Sequence, residues 1–129
     1  MTSLQFARKI AALLDAKQAS DVVILDLRKV PQIAEFFVVA TGMVDLHVRT
    51  LADYVEEGLR KSRAPRKPLS REGERNLAWV VLDYGNVVVH IYRPETRKYY
   101  QLDNLWADVP RIPLTAPPRT SRKNTNDAG

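Results

Sequence analysis

Cysteine is absent from the chain of 129 residues, which excludes disulfide bridges, thiolate metal sites and a cysteine nucleophile. Glycine is scarce, at five residues, and neither G-x-G-x-x-G nor G-x-x-x-x-G-K occurs, so no dinucleotide fingerprint or phosphate-binding loop is present. The two histidines, His47 and His90, leave little material for acid–base chemistry, and no Ser/His/Asp arrangement can be traced. No apolar run approaches the roughly 20 residues of a membrane-spanning helix. The N-terminal stretch MTSLQFARKIAALLDAK carries charge every few residues and lacks a small-residue cleavage site, so it reads as an amphipathic helix rather than a secretory leader. The resulting expectation is a cytoplasmic protein that needs no cofactor and makes no membrane contact.

What is present is ordinary globular material, 45% apolar and 27% charged, in a length that suits one compact domain. Phe6, Ala7, Ile10, Ala11, Leu13 and Leu14 recur at helical spacing, as do Val48, Leu51, Ala52, Val55 and Leu59. Residues 22–27 (VVILDL) and 36–41 (FFVVAT) are short branched-apolar runs, expected as strands covered on both faces. Residues 78–84 and 87–93, broken only by Gly85-Asn86, predict a hairpin. Residues 94–100 and 102–106 follow as two helical turns. The order α-β-β-α-β-β-α predicts an α/β fold, a single domain over residues 1–108 with a mixed β-sheet flanked by helices. Residues 109–129 read as a Pro-rich basic tail, disordered from about residue 115, because it has no apolar face to offset its ordering entropy.

Two features point to binding. Seven basic residues against two acidic ones between positions 60 and 75 hold the whole net charge of +5, which favours an anionic partner such as RNA or else a solvated loop. Trp79, Tyr84, Tyr92, Tyr99, Tyr100 and Trp106 crowd together among Arg93, Arg97 and Lys98, the residue types that dominate binding hot spots. Adjacent residues on a helix diverge by about 100°, so Tyr99 and Tyr100 are not expected to be equally buried. Elsewhere the plain structural explanations are stronger. His90 is expected as a core or semi-buried histidine with one hydrogen bond, and His47 as a capping or surface residue. Thr41-Gly42 is expected as a strand-to-helix turn. Asp26, Asp83 and His90 could meet at strand ends, but they lack the local spacing of metal ligands, and no metal is expected.

The stretches DVVILDLRKVPQIAEFFVVATG, HVRTLADYVEE and WVVLDYGNVVVHIYRPETRKYYQLDNLW resemble the ribosomal silencing factor (Iojap-like) family, from about Leu4 to Trp106. Asp83-Tyr84-Gly85, Val89-His90, Arg97, Tyr100 and Leu105-Trp106 match its pattern most specifically. The resemblance implies a nucleotidyltransferase-like topology without catalysis. It also implies binding to the large ribosomal subunit through its fourteenth ribosomal protein. Steric exclusion of the small subunit would then repress translation when nutrients are short. Trp79 and Tyr100 match family residues tied to that contact; Tyr84, Arg97 and Tyr99 are added by proximity. Peripheral rRNA contact and a homodimer of the free protein complete the expected partners. Val44 and Leu46 stand where the family has a small hydroxyl and a basic residue, which weakens any phosphate-binding role for that turn. The alternatives are an RNA-binding module acting through residues 60–75, or a nucleotidyltransferase-like enzyme, for which no D-x-D pair is present near Gly42.

Overall fold

The computed structural model describes residues 1–29, 34–73 and 77–114. The connector at Pro31, the basic residue Arg75 and the tail from residue 115 lie outside the described residues. The elements run α1 (Ser3–Ala16), β1 (Ser20–Asp26), β2 (Phe36–Thr41), α2 (Asp45–Arg60), β3 (Ser70–Glu72), β4 (Trp79–Asp83), β5 (Val87–Tyr92), α3 (Pro94–Tyr99), α4 (Leu102–Leu105) and β6 (Arg111–Ile112). The strands form one mixed sheet in the order β3-β4-β5-β2-β1-β6. Only β2 and β5 pair in parallel, with Phe36 opposite Val87 and Thr41 opposite Tyr92; every other pair is antiparallel.

Every residue of the central strands β2 and β5 is buried, as expected for apolar runs covered on both faces. β1 differs. Only Ile24 and Leu25 are buried, because its outer neighbour β6 pairs at those two positions alone. Past the boundary expected at residue 108 the sheet continues. Asp26 donates its N–H to the Pro110 carbonyl, and Arg8 donates to the carbonyl of Pro113. The chain between Pro110 and Leu114 is therefore fastened to the folded unit.

One sheet face is sealed by α1 and α2. The helix α1 starts at a reciprocal cap, in which Thr2 Oγ1 accepts from the Gln5 N–H and Gln5 Oε1 accepts from the Thr2 N–H. It buries Phe6, Ala7, Ile10, Ala11 and Leu14, while α2 buries Val48, Leu51, Ala52, Val55 and Leu59. The two helices approach closely at Gly58, where a Cβ would fall 2.8 Å from Leu13 Cδ2. Beneath them lie Ile24, Phe36, Val38, Ala40, Val80, Leu82, Val87, Val89 and Ile91 from four strands. The expected hairpin is present: Gly85 turns between β4 and β5 at φ +88°, and its N–H donates to Asp83 Oδ1.

The opposite face is covered unevenly. Leu102, Trp106 and Val109 pack over Leu25, Phe37 and Val39, whereas Trp79 and Val81 on β4 stay half-buried. Loss of a fully buried contact should be expensive on the sealed side. Leu51→Ala should lower unfolding free energy by about 2–5 kcal/mol in chemical denaturation. Leu46→Ala, at an exposed position of the same helix, should stay within about 0.5 kcal/mol of the parent.

Candidate protein-docking face

Strand parity decides which side chains reach the half-covered face. Trp79, Val81 and Asp83 of β4 point there, opposite Tyr92, His90 and Val88 of β5. Val80 and Leu82 point to the helices, and Tyr84 follows them. Tyr84, expected on the contact surface, instead lies in the core. It is 3% exposed, its ring packs edge-on to Phe6 at 5.4 Å, and burial raises its hydroxyl pKa. Its even spacing from Val80 and Leu82, rather than from Trp79 and Val81, is the signal that separates it from Trp79.

The structure brings Trp79, Tyr99 and Tyr100 together. Rings run outward from the core: Tyr92 meets Trp79 at 5.4 Å, Trp79 meets Tyr100 at 5.9 Å, and Tyr100 meets Tyr99 edge-on at 4.9 Å. Tyr92 is buried, while Tyr100 is 55% and Tyr99 78% exposed. A groove of about 600 Å³ runs along this series, lined also by Gly73, Ala78, Glu95 and Thr96. Those four were not singled out in the sequence; they are small or polar and carry no signal of their own. Gly73 is required at the groove wall. At φ +98° a Cβ there would meet the Trp79 carbonyl oxygen at 2.1 Å.

His90 underlies Trp79. Its Nδ1 accepts a 3.2 Å hydrogen bond from the indole Nε1–H, so the ring is neutral with its proton on Nε2, and Phe37 packs 4.5 Å away. Burial pulls its pKa down to about 4. The expectation of a core histidine with one hydrogen bond is met. His47 also follows expectation: its Nδ1 accepts from the Met43 N–H and its Nε2 faces the Lys17 carbonyl at 2.9 Å, which ties the start of α2 to the end of α1.

Arg97 does not join the exposed rings. Its side chain is 11% exposed and turned toward Thr41, the Asp21 carbonyl and Asp103. At the Gly42 turn, α2 presses against the glycine, with Val48 N 3.0 Å from where a Cβ would stand. Asp45, the nearest carboxylate, pairs with Arg93 at 3.0 Å. Among the described residues no cluster of three or more His, Asp and Glu could hold a metal ion. No helix of the described residues is long and apolar enough to cross a membrane.

Much of the basic segment is used internally. Arg66 lies 4.4 Å from the centre of the Phe6 ring and donates to the Tyr84 carbonyl. Arg60 and Lys61 both reach Glu57, and Arg71 on β3 pairs with Asp53 and Glu56. Among the described residues of the segment, Arg63 and Lys67 are exposed, as are the paired side chains of Arg60 and Lys61.

Fold and site together define a class: a single α/β domain with a mixed sheet, whose exposed tyrosines and half-buried Trp79 line a groove on one half-covered sheet face. The chain belongs to the ribosomal silencing factor family, whose model, described as "Ribosomal silencing factor during starvation", matches residues 1–129. It is 33% identical over 104 residues to ribosomal silencing factor RsfS of Bacillus subtilis, covering 81% of this chain and 86% of that one. It is also 26% identical to the mouse protein "Mitochondrial assembly of ribosomal large subunit protein 1", over 75% of this chain and 43% of that one. Among solved structures, a Chromobacterium violaceum protein matches with a TM-score of 0.74 at 32% identity, covering 83% of this chain and 88% of that one. A Bacillus halodurans protein matches with a TM-score of 0.71 at 27% identity, covering 84% and 98%.

The His90 environment generates a pH prediction. Because its folded pKa of about 4 lies below the ordinary histidine value of 6.5, the unfolded chain binds more protons between those values, and stability falls as pH drops through that window. The contribution lost is on the order of 3 kcal/mol. In denaturation series at pH 7 and pH 4, His90→Phe should lose correspondingly less stability than the parent; equal losses would contradict the burial of a neutral imidazole.

Proposed function

We propose that this chain is a translational repressor acting by steric exclusion. It docks on the large ribosomal subunit through the fourteenth ribosomal protein of the bacterial set, and its bulk blocks joining of the small subunit under nutrient limitation. The observation that carries this reading is the outward series Trp79, Tyr100, Tyr99 beside its groove. Such rings bring large contact area at little conformational cost and retain a polar edge for hydrogen bonding. Membership of the ribosomal silencing factor family supports the same reading, and the mouse relative's name refers to the large subunit.

The finer expectations fit beside it. The protein works in the cytoplasm without catalysing a reaction. Arg63 and Lys67, exposed on the basic segment, supply peripheral contact to rRNA phosphates. In the free protein the apolar groove offers a contact for a second copy. A module that bound RNA chiefly through residues 60–75 would have to do so with Arg66 and Arg71 already engaged inside the fold.

The test is subunit joining. Purified bacterial large subunits, preincubated with the protein and then mixed with small subunits, should show a diminished joined-ribosome peak on a sucrose gradient, with the protein sedimenting on the large subunit. Tyr100→Ala, at an exposed position, should weaken binding by roughly 30-fold or more, as expected of a hot-spot aromatic. Tyr84→Phe should bind like the parent. Undiminished joining with no co-sedimentation, or full binding by Tyr100→Ala, would overturn the proposal.

A further inference from the structure

The two exposed tyrosines sit on an element that cannot hold itself in place. α3 has six residues and α4 four, far below the length at which an isolated helix is stable in water. Neither has a side-chain N-cap, and they are joined through Gln101 in the left-handed conformation at φ 51°. A non-glycine residue there is uphill by on the order of 1 kcal/mol. Tertiary contacts must therefore fix the pose, and two apolar or small side chains, Leu102 and Thr96, are the buried ones in these helices.

One guanidinium ties both short helices to the sheet through polar contacts. Arg97 Nη1 donates to Thr41 Oγ1 at 2.8 Å, at the end of β2, and to the Asp21 carbonyl at 3.2 Å, on β1. Its Nε and Nη2 donate to Asp103 Oδ1 of α4 at 3.1 and 2.9 Å. Its carbon centre lies 5.8 Å from the Tyr92 ring of β5. The Asp21 carbonyl is available because the β1–β2 ladder is irregular between Ser20 and Val23, where Asp21 adopts φ 49°. The irregular end of β1, the end of β2 and the first turn of α4 thus meet at one arginine. That arginine precedes Tyr99 by two residues.

We infer that Arg97 is a positioning residue for the docking face: it locks α3 and α4 onto the sheet so that Tyr99 and Tyr100 are held beside Trp79 before any partner arrives. The inference rests on the large-subunit reading of that face, and it gives Arg97 a role other than the direct contact expected from its place in the sequence. Ordering two tyrosines in advance spares the entropy of immobilising them on binding, which corresponds to a roughly tenfold difference in affinity.

The experiment uses the full chain with Arg97→Ala, Arg97→Lys, Thr41→Val, Asp103→Asn and Tyr100→Ala. Amide hydrogen exchange on the free proteins is combined with affinity for purified large subunits. Thr41 is buried and cannot touch a partner, so any loss of affinity in Thr41→Val is positional. Arg97→Ala should speed exchange at Tyr100, Asn104 and Trp106, leave β2 and β5 protected, and weaken binding roughly tenfold. Thr41→Val and Asp103→Asn should do the same to a smaller extent. Arg97→Lys, which keeps the charge but not the fork, should fall between Arg97→Ala and the parent, and it serves in its place should Arg97→Ala fail to fold. Weaker binding in Arg97→Ala with unchanged exchange, and normal binding in Thr41→Val and Asp103→Asn, would make Arg97 a direct contact and overturn the inference. Faster exchange with undiminished affinity would overturn it as well. Normal binding by Tyr100→Ala would instead refute the docking face itself, while the exchange data still report whether Arg97 holds the arm.

Discussion

Strands that are apolar on both faces must be covered on both, and this chain covers the two faces of its sheet with very different amounts of helix. On one side α1 and α2, of 14 and 16 residues, lay continuous apolar stripes over four strands and leave almost nothing of that layer in water. On the other side α3, α4 and the segment after them supply Leu102, Trp106 and Val109, which with Leu27 and Ala34 cover the β1–β2 half. The fully buried parallel pair of β2 and β5 is the hinge of this asymmetry, because both layers pack on it. The exposed aromatic groups lie where the second layer runs out.

That shortfall explains why aromatic groups stay exposed on the candidate docking face. Beside the short arm, β4 presents Trp79 and Val81 half-buried, and the arm's own end supplies the two exposed tyrosines. Trp79 is anchored from below by the hydrogen bond to His90 and flanked by Tyr92, so it is a rigid platform rather than a loose surface ring. Charge plays the opposite part from the one composition suggests. The basic segment is drawn into the fold through Arg66 on Phe6 and Arg71 on α2, which leaves its cationic surface smaller than its residue count implies. Binding by an aromatic face with a modest cationic rim suits a protein surface bordered by nucleic acid.

Much of this was legible in the sequence, for identifiable reasons. α1 and α2 announce themselves by apolar spacing, β2 and β5 by unbroken branched runs, and the β4–β5 hairpin by Gly85-Asn86. β3 and β6 were not legible, because Ser70-Arg71-Glu72 and Arg111-Ile112 have no strand composition and owe their form to pairing with β4 and β1. The parallel pairing of β2 with β5 is a tertiary fact that no local pattern encodes. In the candidate site, the grouping of Trp79, Tyr99 and Tyr100 was visible from their density in the chain. Tyr84 was separable by parity, since it shares a face with Val80 and Leu82 rather than with Trp79. The inward turn of Arg97 had no local signal: its acceptors stand at positions 21, 41 and 103, brought together only by the folded sheet.

We propose that the exposed tyrosines face a protein of the large subunit. Photo-crosslinking reads this directly: a benzoylphenylalanine in place of Tyr99, at the most exposed ring of the series, is irradiated with the protein bound to purified large subunits, and the captured component is identified by mass spectrometry. The account predicts a crosslink to the fourteenth ribosomal protein. Capture of rRNA or of a different ribosomal protein, with the bound fraction unchanged, would contradict it.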